Sequence, residues 1–119
     1  MTRRQTSIRV IKKKVIELLK LPSVLPALEE LSRIPDRLAV NSLFSFLYSE
    51  DPLIKWNAVT SMGAIVSKLA HEDMEAARVV IRRLMWNLND ESGGIGWGSP
   101  EAIGEILSSH KALAEEYSP

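Results

Sequence analysis

A shift of 41 residues lays one part of this chain on another without a gap. Arg37 falls on Arg78, Leu43 on Leu84, Leu47 on Leu88, Glu50 on Glu91 and Ile54 on Ile95. Trp56 then meets Trp97, Gly63 meets Gly104, Ile65 meets Ile106 and Ser67 meets Ser108. That makes nine identities between 37–67 and 78–108, and further pairs exchange like for like, such as Val40 with Ile81 and Met62 with Ile103. Self-similarity at a fixed period marks a chain that stacks one supersecondary unit on the next. Both copies must then take the same secondary structure and turn their apolar positions toward a shared core.

The apolar spacing says what that structure is. Ile8, Ile11, Val15, Leu18 and Leu19 recur at the three-to-four spacing of an amphipathic helix. A helix is therefore predicted over 8–21, ended by Pro22, with Lys12, Lys13, Lys14 and Lys20 largely on its outer side. A shorter one is expected over 23–33, with Leu25, Leu28 and Leu31 on one face and Pro26 in the first turn. A third covers 35–48 through Leu38, Val40, Leu43, Phe44 and Leu47. Asp51-Pro52 reads as a capping carboxylate followed by a proline at the first helical position, opening a fourth helix to Ala70. Asp73 caps a fifth that runs to Leu88. Ser99-Pro100-Glu101 is a further start signal, with an acid placed toward the positive end of the helix dipole. That helix is expected to reach Ser109, and a short one over 111–117 closes the chain. No stretch alternates with period two, so the fold class is all-α.

Asp51–Ile65, DPLIKWNAVTSMGAI, resembles the second helix of a HEAT-like repeat of the phycobilisome-lyase type. Such helices open with Asp-Pro and continue with a basic residue, an alanine, and an apolar residue followed by glycine. Asp51, Pro52, Lys55, Ala58 and Met62-Gly63 stand at those places. The resemblance implies a short right-handed α-solenoid of about three helical hairpins, roughly the minimum stable array. It would make residues 1–119 one domain: 1–7 disordered, 8–34 a degenerate first hairpin, 35–71 the second, 72–109 the third and 110–119 a C-terminal cap. It also implies an interaction scaffold that binds on its inner, second-helix face, since repeats of this kind are shared among many functions.

The second copy departs from the first where its helix should begin. DPLIK is replaced by Ser92-Gly93-Gly94-Ile95-Gly96, so Lys55 has Gly96 as its counterpart. Gly93, Gly94, Gly96 and Gly98 together are costly to order. Two readings fit. Backbone crowding against Trp86 or Trp97 leaves no room for side chains, or a loop entering a helix at Ser99 offers backbone amides to an anion or carboxylate. Neither a P-loop lysine nor a preceding strand accompanies it, and Asp90, Glu91 and Glu101 oppose phosphate. A cation pocket from Asn89, Asp90 and Glu91 can be written equally well. Trp56 and Trp97 hold equivalent positions, fit either for core packing or for a paired aromatic surface. Of Arg82 and Arg83, one is expected to be solvated and the other paired with Glu75 or Asp90, while His71 is expected to be a turn residue.

Composition narrows the function classes. The chain has no cysteine, and His71 and His110 lie far apart in sequence, so no metal site and no cofactor are expected. No nucleophile–base pair stands out, and the expectation is a non-catalytic protein. Net charge is zero, but residues 1–37 carry nine basic against four acidic residues and 38–119 carry six against eleven. The basic end leaves nucleic-acid binding as the alternative, and a pI near 6.7 weighs against it. Some glycosylases for alkylated bases use HEAT-like repeats around a Trp, an Asp and an Arg, but they are longer and carry a basic concave stripe. With no apolar run long enough for a membrane span, the expectation is a cytoplasmic adaptor, monomeric or weakly self-associating, that binds another protein. Its expected contacts are Lys55, Trp56, Asp90, Glu91, Trp97 and Glu101.

Overall fold

The computed structural model describes residues 3–90 and 99–117, with side chains described over 9–86 and 101–117. All regular structure there is helical: α1 (Arg3–Leu19), α2 (Leu25–Leu31), α3 (Asp36–Phe46), α4 (Pro52–Glu72), α5 (Met74–Asp90), α6 (Ser99–Ser109) and α7 (Lys111–Tyr117). No helix among the described residues is long and apolar enough to cross a membrane. Trp97, Gly93, Gly94, Gly96, Gly98 and Glu91 lie outside the described residues.

Boundaries follow the expected chemistry except that His71, expected in a turn, lies in the last turn of α4, and with two further corrections. Asp51 Oδ1 accepts from the Leu53 and Ile54 amides at 2.9 and 3.5 Å, so the α4 cap forms as the residue types require. Asp73 does the same for Ala76 at 3.1 Å and starts α5. The first correction concerns the N-terminus: α1 begins at Arg3, so most of the stretch expected to be disordered is helical. Arg3, Arg4 and Gln5 are good helix formers and no glycine or proline interrupts them. The second concerns α2, which buries Ala27 and Leu31 and turns Leu25 outward. Residues 25 and 27 lie about 200° apart on a helix, so one face cannot hold both.

α4 is the hub. It packs against α1, α2, α3, α5 and α6, while α5 packs on α6, and α7 packs on α6. Ile54, Ala58, Val59, Met62, Ile65, Val66 and Ala70 are all buried, a stripe wide enough for neighbours on several sides. Its polar side chains reach outward to the ends of other helices. Asn57 Nδ2 donates to the Leu19 and Leu21 carbonyls at 2.9 and 3.1 Å, satisfying acceptors left open where α1 stops. Ser67 Oγ donates to the Ser109 carbonyl at 3.1 Å at the end of α6. Lys68 Nζ reaches the Ser32 carbonyl and the Asp36 carboxylate, joining the end of α2 to the start of α3.

The 41-residue relation also appears in burial. Val40 and Ile81, Leu43 and Leu84, Ser61 and Ala102, and Ile65 and Ile106 are buried at both copies. The two glycines of the repeat differ. A Cβ on Gly63 would stand 2.9 Å from Glu105 Cβ and 3.1 Å from the Glu105 carbonyl carbon, so α4 and α6 meet there backbone to backbone. A Cβ on Gly104 would meet nothing within 4 Å.

At the C-terminal end, Arg78 on α5 grips Glu116 on α7 through Nε and Nη2 at 2.8–3.1 Å. Arg82 and Arg78 both donate to Glu75. The hydrogen bonds from Arg82 and Arg78 hold the Glu75 carboxyl below the usual range, and Arg78 does so for Glu116. His110 supplies the α7 cap: its Nδ1 accepts from the Leu113 amide at 3.3 Å, and its ring lies 4.8 Å from that of His71. The two histidines, unrelated in the sequence reading, touch.

Two measurements follow from this packing. Gly63→Ala gains about 1 kcal/mol of helix propensity, but must push rigid backbone aside at a cost of about 1–3 kcal/mol, so urea unfolding should show net destabilisation. Gly104→Ala has open space and should stabilise by about 0.5–1 kcal/mol. Because Glu75 and Glu116 titrate lower when folded, they add stability above the ordinary carboxylate range and lose it as pH falls through their folded values. Thermal midpoints should therefore fall between about pH 5 and pH 3. The fall should be shallower in Arg78→Ala, and shallower in high salt because these groups face solvent.

Candidate functional site

The turn between α3 and α4 and the first turns of α4 form the most aromatic exposed surface of the described chain. Pro52 at the first position of α4 fixes the entry of the helix, and Asp51 holds its free amides. From that start, Ile54 points to the core, so Trp56, two residues on, is turned away from it. Trp56 is 51% exposed, and Tyr48 and Leu53 are each 40% exposed beside it. A large aromatic left half in water was one of the two readings its position allowed. Core packing was the other, and the structure excludes it for Trp56.

Lys55 is placed differently. Its ammonium lies 3.2 Å from Glu101 Oε2 on α6, with only 17% of the lysine and 23% of the glutamate side chain exposed. The same nitrogen stands 5.0 Å from the centre of the Trp56 ring. One cation thus joins the start of α4 to the start of α6 and underpins the indole, a combination of ion pair and cation–π contact shielded from water. Tyr48, Ser49, Glu50, Pro52, Lys55 and Trp56 surround a concavity of about 350 Å³. Its walls offer an indole, a phenol, a proline ring and the Glu50 carboxylate. Such a surface suits recognition by apolar contact with a few directed polar groups.

Of the six expected contacts, the structure brings Lys55, Trp56 and Glu101 together. Asp90 ends α5 and Ser99 begins α6, their side chains falling outside the described set, as do Glu91, Trp97 and the glycines. Among the described residues no group of three or more histidines or acids gathers as metal ligands. The side chains of Asn89 and Asp90, and the whole of Glu91, the residues of the expected cation pocket, lie outside the described set. Tyr48 and Leu53 also belong to the surface, as does Pro52, expected only as a helix start. The signal was available: Pro52 pins a tight turn, and Tyr48 stands four residues before it.

The neighbouring arginines divide as expected, with contacts that the sequence alone does not state. Arg82 pairs with Glu75 as one of the alternatives had it. Arg83 is exposed, as expected of the other arginine, and in addition donates to Asn41 Oδ1 at 2.9 Å and lies 3.9 Å over the Phe44 ring. Trp86, considered only as a crowding neighbour of the glycines, is 68% exposed.

With that geometry in hand, comparison with known proteins adds one relative. An uncharacterized protein of Archaeoglobus fulgidus is 38% identical over 82 residues. The shared stretch covers 69% of this chain and 42% of the archaeal protein, so the chain corresponds to less than half of that relative's length. No family model matches the chain. No solved structure matches it either.

The Lys55–Glu101 pair has a measurable strength. In a cycle of Lys55→Met, Glu101→Gln and the double variant, we expect a coupling of about 1–2 kcal/mol, above the range of exposed pairs because both groups are shielded. A coupling near zero in chemical unfolding would mean that the two charges are separated by water in solution.

Proposed function

We propose that this chain is a short HEAT-like solenoid acting as a non-catalytic adaptor, which engages a partner protein through the start of α4 and the 89–99 loop. The helix contacts support a stack of hairpins: α1 on α2, α3 on α4 and α5 on α6, with the second helices α2, α4 and α6 adjacent in order. Equivalent burial at the 41-residue spacing supports it further. The observation that carries the binding site is Trp56, half exposed yet underpinned by the shielded Lys55–Glu101 pair. An indole fixed in place loses little freedom on binding, and tryptophan is enriched among interface hot spots.

The basic N-terminal helix keeps nucleic acid as the competing reading. Lys14 of that helix is paired with Glu30 at 3.1 Å, and Lys20 just past its end with Glu17 at 3.6 Å. Among the described side chains of the helix, that leaves Arg9, Lys12 and Lys13 exposed, a modest footprint for phosphate.

The experiment is affinity capture from nuclease-treated lysate, followed by titration of the retained protein against the native chain and Trp56→Ala. The half-exposed indole predicts a stability loss of only about 1 kcal/mol, whereas partner affinity should fall by about 2 kcal/mol or more. Unchanged affinity in a folded Trp56→Ala variant would place the site elsewhere. Retention that disappears with nuclease would replace the adaptor with the nucleic-acid reading.

A further inference from the structure

A second surface lies at the other end of α4. Leu69 is 13 residues from Trp56 in the chain, about 20 Å along a helix. There a concavity of about 340 Å³ opens between α3 and α5, floored by Val40, Leu69, Val79 and Val80 and flanked by Arg37 and Arg83. α1 packs closely on α3, but α3 and α5 are not a closely packed pair, so the stack opens at this point.

The later copy offers a comparison, because α5 and α7 are likewise not a closely packed pair, yet an ion pair bridges them. Arg37 and Arg78 are equivalent, and so are Glu75 and Glu116, each pair 41 residues apart. In the later copy Arg78 grips Glu116, a carboxylate delivered by α7. In the earlier copy the corresponding acid, Glu75, is taken by Arg78 and Arg82. Arg37 thus faces the groove while its repeat counterpart is engaged elsewhere, and no hydrogen bond or ion pair to a described residue involves it.

Arg83 adds a second guanidinium, already immobilised. Its Nη1 is spent on Asn41 and its plane rests on Phe44, while it makes no ion pair with a described acid. A fixed, planar donor loses little freedom when it receives a carboxylate. Asp73 also lines the groove, with its carboxylate accepting from the Ala76 amide at the start of α5. A ligand acid is therefore directed to the Arg37–Arg83 side and away from Asp73. Val79, 51% exposed, supplies apolar area beside the two cations.

We propose that the α3–α5 groove docks an acidic, apolar segment of a partner protein, seating a carboxylate on Arg37 and Arg83 and an apolar side chain on the valine floor. The segment does from outside what α7 does for Arg78 from within. This site is separate from the Trp56 surface, and either could fail without the other.

The test uses two capped peptides, acetyl-Leu-Ala-Glu-Glu-Tyr-amide, patterned on the acidic face of α7, and its Gln-Gln counterpart. Each is titrated into the isotopically labelled full chain and followed by NMR through the backbone amides of 37–41 and 76–83 and the Arg83 Nε–H. The acidic peptide should give saturable shifts centred there with a millimolar-range dissociation constant. The neutral peptide should bind about tenfold more weakly, and the response should decline with salt. Arg37→Gln, at an exposed position, should cost about tenfold with the spectrum otherwise unchanged, and Arg83→Gln a similar factor. Equal response to the two peptides, no response to either, shifts centred away from this groove, or full binding in Arg37→Gln would overturn the proposal.

Discussion

The structure depends on one close crossing. α4 and α6 approach until Glu105 occupies the space that a side chain at residue 63 would need. Only glycine permits that distance, and what the close approach brings is a set of polar contacts that would otherwise fall short. Ser67 reaches the end of α6, and Lys55 reaches Glu101 at its beginning. The crossing is thus pinned at both ends by side chains of α4. The same helix ties down α1 through Asn57 and the α2–α3 junction through Lys68. Hydrophobic burial supplies the driving force, but it is non-directional, and it is these directed contacts that select one arrangement of the described helices.

The Trp56 surface is a by-product of the same arrangement. A lysine holding two helix starts together must carry its aliphatic stem across the surface between them, and an adjacent indole then gains a cation beneath it. In the second copy the lysine position is Gly96, so this device exists once in the chain. The asymmetry matters for the functional reading. Two copies with like core positions need not share a surface, and four differences in residue type at the helix start, Lys55 against Gly96 among them, set a reinforced aromatic edge against a sequence rich in glycine.

Much of this was legible in the residues. Asp51-Pro52, Asp73 and the apolar spacing of α3, α4 and α5 specify helices locally, and local rules suffice there. The fates of Leu25 and Arg83 were not legible in the same way. Leu25 is apolar but stands on the exposed side of its short helix, while Ala27 and Leu31 take the buried side. Arg83 looks like any surface arginine until α3 delivers Asn41 and Phe44 from 42 and 39 residues away in sequence. The candidate site divides along the same line. Trp56 could be nominated from its repeat position, whereas its exposure followed from Ile54 facing the core. The link from Lys55 to Glu101 required the α4–α6 crossing, which no periodicity states.

The contact between His71 and His110 invites a comparison with metal-binding pairs, and the cap on α7 answers it. A neutral imidazole has one lone pair and one hydrogen on its two nitrogens. At His110 the lone pair of Nδ1 is committed to the Leu113 amide, which leaves the hydrogen on Nε2. Neither nitrogen of that ring can then donate electrons to a cation while α7 remains capped. The ring beside His71 that looks most like a ligand thus functions as a piece of backbone carpentry.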